Sequence, residues 1–113
     1  MFERGDIVKV YFSLPYQKNH DWHPAIIISN DNVYNRDDMY VCVMLTHFDQ
    51  KDLFTFEIEN YMLVNPSQNK FSQARAHLIT YVEEKHFDKY AINKLKSIYV
   101  DKLALKIYDD VLT

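Results

Sequence analysis

DWHPAIIISND, residues 21–31, is the stretch on which the architecture turns. Ala25-Ile26-Ile27-Ile28 is apolar at every position and breaks on Asn30 and Asp31. A short run apolar on both faces reads as a central strand of a sheet covered on both sides. Proline cannot donate a ladder bond and is tolerated at the first residue of a strand. Pro24 is therefore predicted to open this strand, and SLPYQKNHDWH, residues 13–23, to form a polar and aromatic loop leading into it.

On either side the pattern is again β. Ile7 to Phe12 alternates, with Val8, Val10 and Phe12 on one face, and predicts a first strand. Tyr40 to Leu45 is a third, apolar on both faces. Phe54 to Glu59 alternates with Phe54, Phe56 and Ile58 inward. SQARAHLITYV, residues 72–82, predicts a long strand, with Ala74, Ala76, Leu78 and Thr80 on one face and Gln73, Arg75, His77, Ile79 and Tyr81 on the other. The tail changes period: Val100, Leu103, Ala104, Ile107 and Val111 form the stripe of an amphipathic helix, with Ser97 as its start. A short helix is expected near Glu83–Tyr90, and turns at residues 30–32, 35–38 and 65–69. The expected fold is mainly β with a C-terminal α-helix, an antiparallel sheet or small barrel with the helix packed on it.

The 113 residues suffice for one domain, 1–113, with 48% hydrophobic residues to build its core. A net charge of −3 argues against a general DNA-coating protein while leaving room for a local basic site. Cys42, the only cysteine, lies in the apolar run YVCVML and reads as a buried, inert thiol. There is neither a signal peptide nor an apolar run of membrane-spanning length, so a soluble protein of a reducing compartment, most simply the cytoplasm, is expected. The five histidines lack the spacing of a structural zinc site, and a single glycine rules out a glycine-rich phosphate loop. No metal or cofactor is expected.

The ordered series of segments resembles one family. Arg4-Gly5-Asp6-Ile7-Val8 before an apolar-aromatic strand is similar to the opening of MazF/PemK/Kid toxins. So are the polar loop ending in Pro24-Ala25 and an aliphatic run, then Ser29-Asn30-Asp31 and Tyr34-Asn35. Val41 to Thr46 resembles the family's strand ending in threonine, Phe54 to Ile58 its next strand, and Ser72 to Tyr81 its long strand before the helix. The resemblance spans nearly the whole chain. It implies an SH3-like small antiparallel β-barrel, a homodimer, and a toxin-type endoribonuclease that cuts single-stranded RNA without a metal ion and is silenced by a cognate antitoxin. The chain departs from the pattern at His23, where the family usually has arginine, and at His77, where it often has aspartate.

Metal-free RNA cleavage needs a base for the 2′-OH, a cation or donor array for the phosphorane, and an acid for the leaving 5′-oxygen. Histidine suits both proton roles. Arg75 and His77, two apart on one strand, are expected to leave the same face about 6–7 Å apart, able to straddle a phosphate. The resemblance adds His23 and Thr46 beside them. Arg75 is assigned to the phosphorane charge, His23 and His77 to base and acid in either order, and Thr46 to a phosphate oxygen. Trp22 offers a face for base stacking, worth about 1–3 kcal/mol in comparable sites, although a core anchor or dimer contact is the reading preferred for it. Lys18, His20 and His47 are further RNA-binding candidates. Two other functions stay open: an inactive MazF-like module that binds RNA or protein, and a gyrase poison of the CcdB type.

Overall fold

A computed structural model describes residues 1–13 and 18–113; part of the predicted 13–23 loop lies outside the described residues. Six strands form one antiparallel sheet: β1 (Asp6–Phe12), β2 (Asp21–Ile27), β3 (Met39–Thr46), β4 (Thr55–Glu57), β5 (Gln73–Glu83) and β6 (Asn93–Lys94). Their spatial order is β4-β5-β3-β2-β1-β6. Two α-helices accompany them, α1 (Asp31–Asp37) and α2 (Ser97–Ile107). The sheet curls without closing: among the described residues β4 and β6 do not pair, so the predicted barrel is an open sheet. A bridge between Leu63 and Leu95 ties the segment after β4 to the far edge.

The two faces carry separate cores. Ile7, Ile26, Val43, Leu63 and Leu95 pack with Val100, Leu103 and Ile107 of α2, so the helix stripe read from the sequence is the buried one, except for exposed Ala104. Phe54 and Phe56 pack on this core and Ile58 is buried in it, as the alternation predicts, although β4 itself is only three residues long. On the opposite face lie Val8, Val10, Ala25, Ile27, Tyr40 and Cys42, flanked by Phe2, Tyr34 and Phe87. Each fully buried aliphatic side chain contributes about 1.5–3 kcal/mol. Burial pushes the Cys42 thiol up to about 12, which keeps it protonated.

Several boundaries differ from the sequence expectation. Trp22 and His23 belong to β2, which starts at Asp21, so Pro24 sits inside a strand. The expected turns at 30–32 and 35–38 are the ends of α1. Asn30 caps its start by accepting from the Asn32 N–H, and Asp38 ends it in the left-handed region at φ 55°. The expected helix at 83–90 is a single 3-10 turn, Glu84–His86. Ser97 is the first residue of α2; the preceding Lys96 reaches instead from its Nζ to the Tyr61 carbonyl.

Gly5 explains why the chain opens as it does. Its N–H donates to the Ile27 carbonyl at 2.7 Å and its carbonyl accepts from Leu95 at 2.9 Å, which joins β2 to the segment after β6. Its φ is +96°, and a Cβ there would lie 2.7 Å from the Leu95 carbonyl oxygen. Only glycine fits both demands.

Candidate active site

Two strand ladders break at the same level of the sheet. β2 pairs with β3 at Ile27–Cys42, Ile26–Val43 and Ala25–Met44. Continuing that register would place His23 opposite Thr46, but pairing stops at Ala25. The cause lies in Pro24. Gly5 bonds the Ile27 carbonyl on the β1 side, and the Ile28 N–H donates to Val41 on the β3 side. Alternation therefore aims the backbone of Pro24 at β3, where it has no N–H to give. The ladder ends there and the strands part.

The β3–β5 ladder breaks beside it. Val43 pairs with Ile79 but Leu45 pairs with Ala74, so β5 carries extra residues between them. The irregularity exchanges the faces of β5. Ala74 and Ala76 face the helix-side core, whereas Leu78 and Val82 pack in the other one. The uniform two-face alternation expected along residues 72–82 is therefore not observed.

Where both ladders fail, a groove of about 750 Å³ opens between the start of β2, the end of β3, the following segment and the first half of β5. His23, Thr46, Arg75 and His77 all line it, with Trp22 and His47. The three separated segments that carry the expected catalytic residues thus meet at one concavity. Lys18 and His20 are exposed and do not line it; the His20 ring stacks on Tyr11 at 5.8 Å. His23 is half-buried, its ring edge-on to Phe12 at 5.2 Å. The Thr46 hydroxyl accepts from the Phe48 N–H at 3.2 Å and retains its own proton to donate.

Three residues that sequence reasoning missed organise Arg75. Its guanidinium donates to both carboxylate oxygens of Asp52, at 3.0 and 2.7 Å, and to the Thr55 hydroxyl at 3.2 Å. It also donates to Oε1 of Gln73 at 2.8 Å. Gln73 is only 2% exposed, and its Nε2 donates to the carbonyls of Phe48 and Gln50 at 3.0 and 2.7 Å. One amide therefore ties the segment after β3 to the cationic centre. The guanidinium and the Phe54 N–H together hold the Asp52 carboxyl down at about 2. The His77 ring stacks on Phe54, with centroids 4.4 Å apart. Burial, then the Arg75 charge, push its pKa below the ordinary 6.5, opposed by Asp52. Neutral imidazole is thus the dominant form of His77 at neutral pH. No grouping of three or more His, Cys, Asp or Glu side chains suited to a metal occurs among the described residues.

Residues 3–109 match the PemK-like, MazF-like toxin family of type II toxin-antitoxin systems, and the chain belongs to this family. The fold is also that of solved structures. MazF from Deinococcus radiodurans superposes with a TM-score of 0.74 at 9% identity, over 99% of this chain and 97% of that one. An endoribonuclease from a Mycobacterial species in complex with its cognate antitoxin gives 0.70 at 18% identity, over 98% and 95%. A MazE–MazF structure from Deinococcus radiodurans gives 0.71 at 11% identity, over 95% and 92%. No curated protein matches the chain. No helix among the described residues is long and apolar enough to cross a membrane.

Proposed function

We propose that this protein is a toxin-type endoribonuclease that cleaves single-stranded RNA without a metal ion and is held inactive by a cognate antitoxin. The observation that carries the proposal is the convergence of His23, Thr46, Arg75 and His77 on one groove. Membership of the toxin family supports it, as does similarity to an endoribonuclease solved with its antitoxin.

His77, neutral at pH 7, takes the proton from a ribose 2′-OH. The 2′-oxygen bonds to the adjacent phosphorus, and Arg75 and Thr46 meet the charge that gathers on the non-bridging oxygens. The bond from phosphorus to the 5′-oxygen breaks, and His23 supplies the proton that this oxygen takes up. The products are a 2′,3′-cyclic phosphate and a 5′-hydroxyl. This places base, cation and acid in protein side chains alone. Action in the cytoplasm and a homodimer, as in the family, belong to the same proposal.

The experiment is incubation of purified, antitoxin-free protein with single-stranded RNA in excess EDTA. Cleavage leaving a cyclic phosphate end is expected, and Arg75→Ala combined with His77→Ala stops it. Intact RNA at high protein concentration overturns the proposal. Two observations favour a second reading, an RNA-binding member without turnover: Arg75 is already matched by Asp52, and His23 stands where the family usually has arginine. That reading predicts RNA binding without cleavage, and cleavage on His23→Arg. A supercoiling assay with DNA gyrase, expected to show no inhibition, separates both from a CcdB-type poison.

A further inference from the structure

A second concavity, of about 330 Å³, adjoins the groove and shares Trp22, Pro24 and His47 with it. Its remaining lining includes Lys9, Lys70 and Phe71. The register of β1 with β2 explains the adjacency. Lys9 lies opposite Pro24 and Tyr11 opposite Trp22, so these four share one face of the sheet, while His23 shares the other with Val10. The two concavities therefore lie on either side of β2 and meet across its free edge at residues 21–24, where Pro24 ended the ladder. Trp22 stands at the crossing, 48% exposed, with its ring against Tyr11 at 5.3 Å.

The lining identifies the occupant. The chain carries a net charge of −3 and sixteen acidic residues, yet among the described residues no acid lines this pocket while two exposed lysines do. Basic side chains interleaved with aromatic faces are the pattern that binds single-stranded nucleic acid. The volume falls at the lower end of small-ligand pockets, about 300–1,000 Å³. We infer that this pocket is a nucleotide subsite. The RNA strand crosses the free edge of β2 over Trp22, and Lys9 and Lys70 each meet a backbone phosphate of the portion flanking the cleaved bond. The inference rests on the endoribonuclease reading and adds where the rest of the strand runs.

The test uses full-length protein and a fluorescein-labelled, fully 2′-O-methylated 12-nucleotide RNA of mixed sequence, which cannot be cleaved. Anisotropy titrations across a salt series are compared for wild type, Lys9→Ala/Lys70→Ala, and a control pair, Lys85→Ala/Lys89→Ala. Each phosphate contact on a single strand contributes a slope of about −0.7 in log K against log salt, so the first pair flattens the slope by about 1.4. The control pair leaves it unchanged. An unchanged slope in Lys9→Ala/Lys70→Ala, with wild type still binding, overturns the subsite and leaves the nuclease reading standing. So does an unchanged slope accompanied by lost antitoxin binding, which makes the pocket a protein-docking site. Failure of wild type both to bind this RNA and to cut an unmodified one overturns the underlying reading as well. Circular dichroism of the variants, whose changed side chains are exposed, verifies folding.

Discussion

Arg75 and Asp52 form a two-pronged ion pair, Nη1 on Oδ1 at 3.0 Å and Nη2 on Oδ2 at 2.7 Å, joining β5 to the segment that walls the groove. The cation that the proposed mechanism assigns to the phosphate is thus fixed in place by an anion that also weakens its field. Replacing Asp52 by Asn removes that anion. The expected outcome is tighter RNA binding at low salt, with the advantage fading at high salt. The single-turnover cleavage rate falls, because Arg75 loses its orienting partner. Anisotropy and rapid-quench measurements on one preparation check both halves.

The same pair shapes acid stability. Asp52 has a folded-state pKa of about 2 against an ordinary 3.8, so its contribution is complete above 3.8 and is lost as pH falls towards 2. Asp52→Asn should unfold with a shallower pH dependence in that window. Chemical denaturation followed at steps of pH is the measurement, and identical slopes contradict the expectation.

His77 sets the acid limb of the activity profile if it is the base. Its pKa is lowered by burial and by Arg75 and raised by Asp52, so the limb lies below pH 6.5 in wild type. Arg75→Ala moves the limb up towards 6.5 in whatever residual activity survives, and Asp52→Asn moves it further down. Loss of His77 lowers the cleavage rate by about 10²–10⁴, the usual scale of a positioned proton-transfer group. Cleavage rates measured from pH 4.5 to 8 test the order of the three limbs.

Gln73→Ala leaves the Phe48 and Gln50 carbonyls without this donor and Arg75 without one acceptor. Such a truncation costs about 1–3 kcal/mol in stability. At this chain length that is a fall in Tm of roughly 4–8 °C per kcal/mol. Because the segment it anchors is a wall of the groove, cleavage should fall further than the unfolded fraction accounts for. Thermal denaturation alongside assays well below Tm separates the two effects.

Gly5→Ala is expected to destabilise the fold without touching the groove. At φ +96°, with backbone 2.7 Å from the new methyl group, the loss exceeds the 0.4–1 kcal/mol that such a substitution gains at permissive positions. A Tm equal to wild type would contradict the stated role.

The strands and the long helix were legible because their patterns are local: two apolar faces for β2 and β3, a 3.6 period for α2. So was the family resemblance, through an ordered series of segments. What stayed hidden depends on partners far along the chain. Gln73 reads as one polar residue of an alternating strand, and only the fold brings it under Phe48 and Gln50. Asp52 reads as a loop acid until β5 delivers Arg75 to it. The exchange of faces in β5 is invisible to any period-two template. Residues 30–38 carried a usable signal, Asn30 as a cap and Asp31 in the first turn, but the Asn and Asp content points equally to turns.

The extra residues in β5 have an evolutionary cost. Upstream of them the strand brings Arg75 and His77 to the groove; downstream it supports the far core, each half out of phase with the other. Losing or gaining one residue between Arg75 and Ile79 would restore phase for one half only by turning the other inside out. That interval should admit substitutions yet refuse the loss or gain of a single residue, leaving variation in length to the segments across the groove.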